Sequence, residues 1–136
     1  MKIAVVGSMT VVEKMLEIKK ELESLGHQVF LSKFAYEYIN LPKEEIEKQT
    51  IYDKNNNDGL KELSHLIKDT DAILALNYDK NGIKNYIGGN TFLELGYASI
   101  LEKKVYFMNP TPDMIYTSEL ESMKPIILNG DLSKIQ

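Results

Sequence analysis

Short unbroken apolar runs alternate with longer stretches of helical periodicity along this chain. The first run, Lys2 to Val6, is rich in β-branched residues and stops at Gly7-Ser8, which predicts a buried strand. From Thr10 the period changes. Val11, Met15, Ile18, Leu22 and Leu25 recur at spacings of three and four and form one apolar helix face. Thr10 and Glu13 fit a capping box, and Gly26 a C-terminal stop. His27 to Ser32, centred on Val29-Phe30-Leu31, predicts a second strand. Lys33 to Gly59 is aromatic, then charged, then polar. It predicts a short helix after Pro42 and exposed loop elsewhere, with Lys43 to Lys48 as a solvated face. Leu60, Leu63, Leu66 and Ile67 return to helical spacing, and Asp71 to Asn77 predicts the third strand. Asn90 to Lys103 predicts a helix with apolar residues on most sides, including Phe92, Leu93, Leu95, Ile100 and Leu101, and therefore a deeply packed one. Val105 to Met108 predicts strand four, broken by Asn109-Pro110-Thr111-Pro112. A short helix at Met114 to Glu121 and a last strand at Pro125 to Leu128 follow.

Strands and helices in alternation predict an α/β fold in a single domain over residues 1–136. The expected architecture is a doubly wound, flavodoxin-like or Rossmann-like five-stranded parallel sheet in the order 2-1-3-4-5. The ligand crevice of such a sheet lies outside the carboxyl ends of strands one and three, where the strand order reverses. Two loops must reach it: Gly7-Ser8-Met9, and Tyr78 to Asn90.

Composition narrows what that crevice can hold. The 16 basic residues are all lysine, and against 20 acidic residues they leave a net charge of −4. A mildly acidic domain is a poor partner for a nucleic acid polymer or an anionic membrane, and neither is expected. A bound phosphate would have to rely on backbone amides, hydroxyls or lysine charges rather than a guanidinium fork. The absence of cysteine excludes disulfides, thiolate metal sites and cysteine nucleophiles, and His27 and His65 are the only histidines, so no metal and no cofactor are expected. No apolar run spans a membrane, and the apolar stretch at Met1 to Gly7 is too short for a signal peptide. The expectation is a soluble, cytoplasmic domain.

Gly7-Ser8 sits between a strand and a helix, where backbone amides and the helix dipole can receive an anion; the same pair is also an ordinary tight turn. It lacks the spacing of a P-loop and the glycine triplet of a dinucleotide site. The richer segment is Gly88-Gly89-Asn90-Thr91-Phe92-Leu93-Glu94-Leu95-Gly96-Tyr97-Ala98. Its glycines allow close approach of a ligand, and Glu94 is expected in the first helical turn, at the mouth of the crevice. A carboxylate there is held ionised by the dipole and amide donors, which suits a nucleophile. Thr91 to Glu94 is also a capping-box pattern, which would give Glu94 a purely structural role.

Asp71-Ala72-Ile73-Leu74-Ala75-Leu76, the glycine-containing loop, Glu94-Leu95-Gly96-Tyr97-Ala98 and Lys104-Val105-Tyr106-Phe107 together resemble the nucleoside 2-deoxyribosyltransferase-like superfamily, which includes the 2′-deoxynucleoside 5′-monophosphate N-glycosidases. The similarity runs in order through nearly the whole chain, and Gly7-Ser8 falls where the monophosphate glycosidases carry a Gly-Ser turn. The resemblance implies an enzyme with a flavodoxin-like fold, a homodimer or higher oligomer, a small nucleoside or nucleotide substrate, and a glutamate nucleophile at Glu94. Such a carboxylate can trap the oxocarbenium-like centre formed when an N-glycosidic bond breaks. Asp79, Tyr86 and Asn90 are candidates to assist the departing base. The candidate substrate-binding set is Gly7, Ser8, Met9, Asp79, Tyr86, Gly88, Gly89 and Asn90.

Two positions depart from the transferase pattern. Gly88 stands where the transferases have an aspartate, six positions before the glutamate, and no aspartate occurs around Leu63 and Ser64 on the preceding helix. A non-catalytic nucleotide-binding or sensing module on the same fold is therefore the alternative, and a small domain that binds or cleaves a larger ribosylated nucleotide such as NAD is a third. Tyr36 and Tyr38 follow strand two on the crevice side, where they could stack on a base or sugar, and together with Phe34 they form an aromatic cluster that could be a dimer contact. Asp71 and His27 read as strand-opening structural residues, and Asn129-Gly130-Asp131 as a turn.

Overall fold

The computed structural model describes residues 1–136, apart from the side chains of Leu60 and Leu63. The apolar face expected at those two leucines lies outside the described residues. Strands β1 (Lys2–Gly7), β2 (Gln28–Phe30), β3 (Ala72–Leu76), β4 (Lys104–Phe107) and β5 (Ile126–Ile127) form one parallel sheet in the order β2-β1-β3-β4-β5, as the alternation predicts. Val5 pairs with Leu74 and Gly7 with Leu76, so β1 and β3 end side by side at the reversal of strand order. β3 is buried along its whole length, as its uninterrupted Ala-Ile-Leu-Ala-Leu run requires of a strand covered on both faces.

The pleat divides the core into two layers. Ile3, Val5, Leu74 and Tyr106 pack against Met15, Ile18 and Leu22 of helix α1 (Val12–Ser24). On the opposite face, Ala4, Val6, Ile73 and Phe107 pack against further helices. These are α4 (Gly59–Lys68, through Ile67), α5 (Gly89–Ile100, through Leu95 and Ala98) and α6 (Thr117–Ser122, through Leu120). A third, smaller cluster joins Phe34 and Tyr38 of α2 (Lys33–Tyr38) to Ile46 of α3 (Lys43–Asn56).

Several local expectations are corrected. Thr10 does not cap α1. Ser8 caps a single 3-10 turn, Met9–Val11, by accepting a hydrogen bond from the Thr10 amide, and α1 starts only at Val12. The short helix expected after Pro42 is present as α3, but it runs for 14 residues, and α2 stands where loop was expected; the polar surface of α3 hides its length because so little of it is buried. α5 is packed on one side only. Leu93 and Ile100 are exposed, since the helix has the sheet beneath it and solvent above. Phe34 and Tyr38 are buried within their own chain, which removes them from any dimer contact; Tyr36 alone of the three is exposed. Asp71 is structural: its carboxylate accepts the Lys2 amide at 2.8 Å and its own amide bonds the Lys2 carbonyl.

Candidate functional site

A cavity of about 320 Å³ opens at the carboxyl ends of β1 and β3. Its floor is the last residues of those strands, Val5 to Gly7 and Ala75 to Asn77. One side is the Gly88–Asn90 entry to α5, and the outer wall is α2 and α3. The volume is at the lower end of the roughly 300–1,000 Å³ usual for small-ligand sites. Asn77, 1% exposed, fixes the floor. Its side chain donates to the carbonyls of Asn109 (2.9 Å) and Pro110 (3.2 Å) and accepts the Asn109 amide at 2.9 Å, so the end of β3 is tied to the chain beyond β4.

Glu94 lines this cavity, but not as the cap expected of it. α5 begins at Gly89 with Gly88 as its N-cap, no side chain caps it, and Glu94 falls in the second turn. The Thr91–Glu94 capping box is therefore absent, because the helix starts three residues earlier than a Thr91 cap requires, with Gly89 and Asn90 already in its first turn. Beyond the reach of the terminal amides, the Glu94 carboxyl is not held ionised. Desolvation inside the fold, then the charge of Glu62 on α4, push its pKa from 4.5 up to about 8, and only the charge of Lys54 opposes them. The side chain keeps some contact with solvent through the cleft while protein surrounds it on its other sides. It accepts a long hydrogen bond, 3.5 Å to Oε1, from the side-chain amide of Asn90, whose own Oδ1 is buried without a partner among the described residues.

The loop from Tyr78 to Asn90 is shaped by its asparagines and glycines. Asn81 and Gly82 both take positive φ, and Lys80 and Ile83 exchange backbone hydrogen bonds across them, the hairpin geometry that an Asn-Gly pair favours. Lys80 is thereby aimed back at β1. Its Nζ lies 3.0 Å from Ser8 Oγ, which is 2.7 Å from Thr10 Oγ1, and 2.9 Å from Glu47 Oε1 on α3. Asp79 turns the other way, accepts the Asn85 amide at 2.9 Å, and is not among the residues lining the cavity. Tyr86 does line it. A Cβ built on Gly88 would stand 3.2 Å from the Tyr86 ring, so the glycine makes room for the phenol.

The outer wall is locked by a buried carboxylate. Asp53, 3% exposed, accepts hydrogen bonds from Tyr38 Oη, Gln49 (3.2 Å) and Asn57 (2.6 Å). Burial would raise its pKa, yet these donors together hold it below the ordinary value, while burial and the bond to Asp53 raise that of Tyr38.

Of the residues singled out from sequence, Gly7, Ser8, Met9, Tyr86, Gly88, Gly89, Asn90 and Glu94 share the one cavity, and Asp79 stands outside it. Sequence reasoning missed Lys80, Glu47, Asp53 and Glu62. Lys80 had a signal, the Asn-Gly turn beside it. Glu62 is one position before the site searched for an aspartate. Its Oε1 accepts the Lys33 amide at 3.1 Å, its Oε2 is buried and unpartnered, and its charge reaches Glu94. Comparisons of the chain with protein-family models, curated proteins and solved structures return no match.

Proposed function

We propose that this protein cleaves the N-glycosidic bond of a nucleoside, a deoxynucleoside or its 5′-monophosphate, with Glu94 as the nucleophile. One observation carries the reading: a carboxyl group stands at the switch point of a doubly wound sheet, in a nucleoside-sized cavity shared with the Gly7-Ser8 turn and the Gly88–Asn90 loop. The similarity of the Glu94-Leu95-Gly96-Tyr97-Ala98 segment to the deoxyribosyltransferase-like motif supports it.

In this mechanism a Glu94 carboxylate oxygen bonds to C1′ as the C1′–N bond breaks. The bonding pair leaves with the base, which takes the phenol proton of Tyr86, while Asn90 in the same lining can donate a hydrogen bond to it. Water then attacks C1′ and gives its proton to the Tyr86 phenolate, the ester C1′–O bond breaks, and the Glu94 carboxylate is regenerated with the sugar released. Transfer replaces that water with a second base. The raised pKa leaves the carboxylate as the minority form at neutral pH, so ionisation of Glu94 sets the pH dependence.

Incubation with nucleosides, nucleoside monophosphates and NAD, followed by chromatography for free base, tests the reading. Base release by the parent and none by Glu94→Gln is the expected result; full release by the variant refutes it. Tight nucleotide binding without base release favours the sensing module, a reading supported by Gly88 in place of the family aspartate.

A further inference from the structure

We propose that Lys80, with Ser8 and Thr10, is a subsite for a phosphate monoester, and that Glu47 occupies its cation until such a ligand displaces it. The proposal rests on the nucleotide reading above for what carries the phosphate. In a chain without arginine, a phosphate cation must be lysine. Lys54 and Lys80 both line the cavity, and the charge of Lys54 acts on Glu94. Lys80 instead donates to Ser8 Oγ in the turn after β1, and that hydroxyl is itself hydrogen-bonded to Thr10 Oγ1. Three donor groups of this kind at one end of a cleft match the oxygens of a phosphate monoester.

Lys80 Nζ also stands over the Tyr86 ring, 5.9 Å from its centroid, and its charged partner is a carboxylate, Glu47. Glu47 comes from α3, on the far wall, and is 33 positions away in sequence, so the ion pair is a bridge across the cavity between two elements that both line it. The Lys80 side chain is 24% exposed, whereas that of Glu47 is 62% exposed and loses little when released to water. A dianionic phosphate outbids a single exposed carboxylate for the same ammonium. A neutral nucleoside has nothing to exchange for the ion pair and leaves it shut. Glu47 thereby acts as a filter against weakly charged ligands.

Calorimetry with inorganic phosphate, a nucleoside and its 5′-monophosphate, on the parent and on single and double variants, tests this. Glu47→Gln should tighten both phosphate-bearing probes about two- to fivefold at low ionic strength, with the gain shrinking as salt rises. Lys80→Gln should weaken both about tenfold or more, and Lys80→Arg should preserve them. The nucleoside should bind all variants alike, and Glu47→Gln should have no further effect once Lys80 is glutamine. Equal shifts for nucleoside and monophosphate, an unchanged affinity in Glu47→Gln, or no binding of any phosphate-bearing probe overturns the proposal. The binding pattern without base release leaves this subsite standing and removes the glycosidase reading instead.

Discussion

Replacing Glu94 by glutamine separates a working carboxyl from a structural one, because it should make the protein more stable while removing its chemistry. The amide keeps the size of the side chain and an oxygen for the Asn90 amide. What it removes is a group whose pKa rises from 4.5 to about 8 on folding. At low pH both folded and unfolded chains hold the proton and the group costs nothing. As pH climbs past 4.5 the unfolded chain gains by ionising and the folded one does not, so stability is lost progressively until about pH 8, above which both forms are ionised. At about 1.4 kcal/mol per pH unit the whole interval amounts to roughly 5 kcal/mol, a ceiling lowered by water entering the cleft. Urea denaturation should therefore give parent and Glu94→Gln nearly equal stability at pH 4.5, with the variant ahead by at least about 2 kcal/mol at pH 8.5. In the parent, kcat/KM for base release should climb about tenfold per pH unit well below pH 8, reach half its maximum near pH 8 and level off above it, since the carboxylate is the reacting form. A stability difference that does not change with pH refutes the assigned environment of Glu94. A rate that falls as pH rises to 8 refutes its role as nucleophile.

Asn77→Ala removes three side-chain hydrogen bonds beneath the cavity and strands the Asn109 amide; a loss of about 2–4 kcal/mol in chemical denaturation is expected. Tyr38→Phe leaves Asp53 with Gln49 and Asn57 alone, at a cost of about 1–2 kcal/mol. Because Asp53 has a depressed pKa, its contribution is complete above its ordinary value of 3.8 and is lost as pH falls through the lowered one; parent and variant should converge in acid denaturation. Gly88→Ala puts a methyl 3.2 Å from the Tyr86 ring, so ligand affinity by calorimetry should change while the melting temperature stays within a few degrees of the parent.

The sheet was readable because burial on both faces leaves a continuous apolar signature. β3 is five apolar residues in a row, and strand order followed from alternation with helices. The inner half of the site was readable for a related reason, since glycines and a lone acid beside a strand end leave local marks. Of α3 only the start was marked, by Pro42; its length left no mark, because its packing rests on Ile46 and on Asp53, a residue that reads as surface until its three donors are seen together. Glu94 was found in sequence and given the wrong environment. A capping box on Thr91 and a second-turn acid differ by three residues of helix start, from an N-cap at Thr91 to one at Gly88, and that shift decides whether dipole or desolvation governs the charge.

The cleft's outer wall is only thinly joined to the large core layers: α2 reaches one of them through Ala35, and no buried residue of α3 belongs to either. α2 and α3 are joined by the three-residue cluster of Phe34, Tyr38 and Ile46 and by the Asp53 hydrogen bonds, while the sheet carries its own apolar layers on both faces. Such a unit has its own, lower opening free energy, so its amides should exchange with solvent through local events that leave β1, β3 and β4 protected. Mutational drift along this segment can then reshape what the protein admits without eroding the scaffold that holds Glu94.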